Sequence, residues 1–105
     1  MRVDVRVDWS KRTGYIGERH GISATWADEA VNDRHAVWQA PDPASRSGLS
    51  IRVIGYSPSV RAVLTVILVS PDADPDERPD GDWWGSNAWM ANEQDRSLYS
   101  EEQQE

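Results

Sequence analysis

Cysteine is absent from this 105-residue chain, and its absence removes disulfide frameworks and thiolate metal sites. Phenylalanine is absent too, so six tryptophans and three tyrosines carry the whole aromatic complement. Histidine occurs only at positions 20 and 35, which is not a ligand spacing on any helix, so no metal site is expected. There is no phosphate-cradling glycine loop, no EF-hand loop and no GxSxG elbow. Long apolar runs are missing as well. The longest, "AVLTVILV" at residues 62–69, is far too short to span a bilayer, and the opening "MRVDVRVDWS" lacks the apolar segment of a signal peptide. These absences predict a cytoplasmic protein that needs no cofactor and no membrane.

What is present fits one folded domain over residues 1–105: 38% of residues are hydrophobic and 28% charged. The net charge of −7 is concentrated in two places. Residues 71–80, "PDADPDERPD", hold five acids against one arginine, and the tail "EEQQE" holds three glutamates. The remaining ten bases and ten acids balance, so a local basic face is neither required nor forbidden. With three prolines and almost nothing apolar, residues 71–80 read as a solvated loop, and residues 100–105 as a frayed acidic tail.

Periodicity predicts the order β-α-α-β-β-β-β-α, an α+β domain with a small antiparallel sheet. "VDVRVDW" at residues 3–9 alternates as a strand does. A helix capped by Ser10 runs to Gly21, and Ser23 caps a second helix. "HAVWQA" is a strand, and "LSIRVIGYS" and "RAVLTVILV" form a hairpin around "SPSV". "GDWWGSNAW" is the last strand, and Asn87 or Asn92 starts a closing helix. A symmetric hairpin loop pairs Tyr56 with Arg61, Ile54 with Val63 and Arg52 with Thr65. One face is then wholly apolar (Ile51, Val53, Gly55, Ala62, Leu64, Val66). The other carries Arg52, Tyr56 and Arg61 and is open to chemistry. Trp83 and Trp84 cannot both bury on one face; either one lies under the acidic loop or one is an exposed aromatic anchor.

The side chains left for chemistry are His20, Arg52, Tyr56 and Arg61, with Lys11 and Arg19 beside them. Metal-free RNA cleavage uses these types: a base for the 2′-hydroxyl, cations for the pentacovalent phosphate, an acid for the leaving oxygen. Histidine titrates near neutrality, and arginine offers a permanently charged bidentate fork. His20 has a second reading, as a residue that merely meets the end carbonyls of a helix stopped by Gly21.

Four segments together resemble the BrnT-type toxins of bacterial type II toxin–antitoxin systems: "DWSK" at residues 8–11, the "RHGIS" to "EAVND" run at 19–33, "RVIGYSPSVRAVLTVI" at 52–67 and "NAWMANEQDRSLY" at 87–99. The resemblance implies a RelE-like fold, with two helices packed on one face of an antiparallel sheet and a C-terminal helix. It implies an endoribonuclease that inhibits translation and a cognate DNA-binding antitoxin as partner. Carried over by position, Lys11, Arg19 and His20 match the family's K…(K/R)HG element. Arg61 matches the arginine of its glycine-arginine turn, with Val60 in place of the glycine. In the family's closing S-A-R signature the serine is Asn87 here and the arginine is Trp89, which leaves Trp89 as a substrate-contacting aromatic. Two functions follow. One is RNA cleavage, on free or ribosome-associated mRNA, with His20, Arg61, Arg52 and Tyr56 as the catalytic set and Lys11, Arg19 and Trp89 holding substrate. The other is a toxin-fold binding module without activity that engages a protein partner.

Overall fold

The computed structural model describes residues 4–103. Its elements are β1 (Val7–Asp8), α1 (Thr13–His20), α2 (Ala24–Val31), β2 (Val37–Gln39), β3 (Ser50–Ser57), β4 (Ala62–Val69), β5 (Trp83–Met90) and α3 (Glu93–Gln103), with a 3₁₀ turn at Pro71–Ala73. This is the α+β order expected from the sequence. The sheet runs β1-β5-β4-β3-β2 and is mixed, not wholly antiparallel, because the short β1 lies parallel to β5. Most of the strand expected at residues 3–9 is irregular. Val3 lies outside the described residues, and only Val7 and Asp8 find ladder partners, Trp83 and Trp84.

Local signals set the helix ends. Gly21 takes φ 67°, and the bonds Gly21 N–H to Gly17 O and Ile22 N–H to Ile16 O stop α1 as a left-handed C-cap does. Ser23 caps α2 by accepting from Thr25 N–H, and Asn92 caps α3 by accepting from Asp95 N–H. Ser10 does not cap α1. Its backbone N–H is spent on Asp8 Oδ1, the chain makes one more turn, and α1 begins at Thr13. The tail expected to fray from residue 100 is helical as far as Gln103, since α3 is capped and anchored in its first half and simply propagates.

One face of the sheet, with Val53, Leu64, Val66, Leu68 and Ala88, forms the core with Ile16, Ile22, Ala27, Ala30 and Val31 of the first two helices. Two close approaches fix that layer. A Cβ on Gly55 would stand 1.9 Å from Ala30 O, and one on Gly85 would stand 2.4 Å from the Trp9 ring. The hairpin register differs from the symmetric expectation. Tyr56 pairs with Val63, Ile54 with Thr65 and Arg52 with Ile67, and the loop is residues 58–61, with Arg61 at φ 54°. Glu29 drives the shift by accepting from the Ser57 hydroxyl and from both the N–H and hydroxyl of Ser59, which pulls Ser57 into the ladder. A displacement of two residues keeps the paired side chains on their expected faces, but it moves Arg61, expected on the polar face opposite Tyr56, out of the strand and into the loop.

The second face is not open over the hairpin. α3 lies across it, and Ile54 and Thr65 are fully buried. The Thr65 hydroxyl donates to Asp95 at 2.7 Å, and Arg52 reaches the same carboxylate. No helix among the described residues is long and apolar enough to cross a membrane.

Candidate functional site

Arg12, the N-cap of α1, and Tyr15 and Arg19 within the helix follow three- and four-residue spacing, so these side chains line one stripe of its surface. The Arg12 guanidinium sits 4.1 Å over the Tyr15 ring, and its Nε donates to Ser86 O at 2.9 Å. Ser86 is available because β5 bulges there: Ile67 pairs with Asn87 but Leu68 with Gly85, which leaves Ser86 without a partner in β4. The bulge and Arg12 together lock α1 against β5.

That lock brings His20 to the end of β5. The half-buried His20 ring lies 6.2 Å from Tyr15, edge-on at 80°, and 5.9 Å from Trp89, tilted at 51°. Tyr15 and Arg19 also line a shallow cavity of about 300 Å³. Further back along the same side, Lys11 Nζ is 4.5 Å over the Trp84 ring and 2.6 Å from Glu77 Oε2. Its pKa is raised, first by the hydrogen bond to Glu77. Trp84 is buried beside Lys11, Val69 and Ala73, while Trp83 packs against the core, so the two adjacent tryptophans part as alternation requires.

The other sequence-chosen residues sit elsewhere. Arg52 is 3.0 Å from Asp42 and 3.4 Å from Asp95, and its side chain is only 19% exposed, so it is a charge clamp between β3, the proline loop and α3. Tyr56 is exposed on β3 and donates its N–H to Asp33 Oδ2. Arg61 projects from the hairpin tip, exposed, and makes no ion pair among the described residues. No hydrogen bond, ion pair or ring contact among the described residues joins His20 to Arg52, Tyr56 or Arg61.

Two residues that sequence reasoning passed over, Arg12 and Tyr15, complete the ring cluster; their i, i+3 spacing was the available signal. A second polar cluster, at Asp33, was also missed. Asp33 accepts from Tyr56 N–H, His35 N–H and the Tyr99 hydroxyl. Burial pushes its carboxyl up, but those hydrogen bonds and the nearby His35 outweigh it, and the net shift is downward. Burial and the bond to Asp33 hold the Tyr99 phenol well above its ordinary value. Among the described residues, no three His, Asp or Glu side chains converge as metal ligands. No family model, curated protein or solved structure matches this chain.

Proposed function

We propose that the α1–β5 surface binds and cleaves single-stranded RNA, and that the chain is a cytoplasmic toxin-like endoribonuclease of the BrnT type, paired with an antitoxin. The supporting observation is the meeting of a half-buried histidine with Tyr15 and Trp89, flanked by Arg12 and Arg19. Aromatic rings offer stacking platforms to unpaired bases, and cations beside them hold the phosphates. In this reading His20 takes the 2′-hydroxyl proton. The 2′-oxygen attacks the adjacent phosphorus, the bond from phosphorus to the 5′-oxygen breaks, and water protonates the leaving oxygen. Arg12, Arg19 and Lys11 supply the positive charge, and Arg61, exposed at the hairpin tip, takes no part in the chemistry. Arg52 is not a phosphate ligand in this assignment, because two carboxylates already neutralise it.

The test is incubation of purified protein with end-labelled single-stranded RNA in chelator, followed by analysis of product ends. The expected products carry a 5′-hydroxyl and a 2′,3′-cyclic phosphate. Intact RNA, with or without ribosomes, contradicts the enzyme. One observation favours the alternative reading of a protein-binding module. Among the described residues, the outer edge of β5 beyond Trp84 has no strand partner, and Met90, 47% exposed, lies at its end beside Trp89.

A further inference from the structure

The acidic loop is held at its two ends and touched once in the middle. At its start, Ser70 N–H donates to Leu49 O at 3.0 Å, and the Ser70 side chain accepts from Asp72 N–H. At its finish, Asp80 N–H donates to Asp8 Oδ2 at 2.9 Å and Asp82 N–H to Arg6 O at 2.7 Å. Gly81, at φ 147°, passes so close to Arg6 O that a Cβ would stand 2.7 Å from it. Between these anchors Arg78 pairs with Asp72 inside the loop at 2.9 Å. Glu77 to Lys11 is the one hydrogen bond or ion pair among the described residues that ties residues 74–79 to anything outside the loop. Both side chains are about half exposed, 47% for Lys11 and 55% for Glu77, and exposed ion pairs of this kind are weak and easily exchanged.

The contact falls at a particular place. Lys11, Arg12, Trp84 and Ser86 line a cavity of about 290 Å³ on the α1–β5 surface, and Asp74 of the loop lines it too. The loop therefore presents two carboxylates, Asp74 and Glu77, to the cations that the proposed function assigns to phosphate. Lys11 is the only lysine in the sequence.

We infer that the loop at residues 71–80 is an internal substitute for an RNA phosphate: Glu77 occupies the Lys11–Trp84 subsite in the free protein, and single-stranded RNA must displace it to bind. The inference rests on the RNA-cleaving reading and adds its regulation. The anchored ends keep the loop in register over the site, the Arg78–Asp72 pair stays within the loop, and the single weak contact from its middle to the body lets that middle lift. The loop raises the RNA concentration needed for occupancy and rejects isolated anions, because a lone phosphate gains only one contact where a strand gains several.

The test measures binding of a fluorescent single-stranded 2′-O-methyl oligoribonucleotide, which lacks the attacking hydroxyl, across a range of salt. The proteins are the wild type, Glu77→Gln, Lys11→Gln and the double variant, each checked by near-UV circular dichroism. Both sites are exposed and Glu77→Gln is isosteric, so the fold is retained. Glu77→Gln is expected to tighten binding roughly two- to fivefold, the scale of one exposed ion pair. It is also expected to steepen the slope of log affinity against log salt by about 0.7, one counterion released from a single strand. Both gains vanish in the Lys11→Gln background. Equal binding by wild type and Glu77→Gln, with Lys11→Gln still weakened, overturns the internal substitute and leaves the RNA reading standing. A gain that persists without Lys11 overturns it as well, since the effect is then general charge repulsion. No binding by any of the four proteins overturns both.

Discussion

Arg52 stands between two carboxylates that are 8% and 4% exposed, Asp42 and Asp95, and the second of these also takes the Thr65 hydroxyl. Removing the guanidinium leaves both buried acids without their counter-charge, although Thr65 and Ala44 still donate to them, and breaking a buried ion pair in this way is costly. Arg52→Ala is expected to lose about 3 kcal/mol in urea unfolding, with the midpoint lowered and the slope unchanged. A loss under about 0.5 kcal/mol, the range of ordinary surface changes, contradicts the clamp. Arg52 also shows how far a residue's role was legible. Strand alternation placed it on the correct face, but its partners lie 10 and 43 positions away, and no local pattern announces such pairings. His20 is similar. Its place before a helix-ending glycine was readable, whereas its neighbour Trp89 is 69 positions off and arrives through the β5 bulge.

At the scale of elements, Asp33 joins three pieces: the turn after α2, the outer end of β3 and α3. Its folded carboxyl lies below the ordinary 3.8, so the stabilisation is present above the unfolded value and lost as pH falls through the folded one. Tyr99→Phe removes a hydrogen bond to that charge and is expected to cost about 1.5 kcal/mol at pH 7. The difference from wild type should shrink as both proteins are acidified below the ordinary carboxylate range, toward the lowered Asp33 value at which the charge is lost. A gap that stays constant from pH 7 down to the acid unfolding of the wild type excludes Asp33 as the partner that matters; thermal melts across that range decide it. Element order and the ends set by Gly21 and Ser23 were legible because they depend on neighbours within a turn of chain. Asn92 was one of two candidates with Asn87, and the Ser10 cap failed because α1 starts after a further turn. The hairpin register was not, because Glu29 of another element sets it. The coverage of the second sheet face by α3 was equally hidden, since nothing in "NEQDRSLYS" says where the helix lands.

For the whole molecule, the division of charge is the organising fact. The acids that make the chain negative lie in one loop and one tail, while the α1–β5 side gathers Lys11, Arg12, Arg19 and His20 with Tyr15, Trp84 and Trp89. The acidic loop was legible from composition, but its lying against Lys11 was not, because that contact spans 66 positions and depends on anchors at Leu49, Arg6 and Asp8. On the proposed reading, His20 performs proton transfer on RNA at this surface. Its most direct test is the single-turnover cleavage rate of His20→Ala beside wild type, with melting temperatures measured on the same samples. The expected result is a fall of about 100-fold or more in rate, the scale of a lost general base, with melting essentially unchanged. Equal rates in the two proteins, or a wild type that cleaves nothing, contradict it.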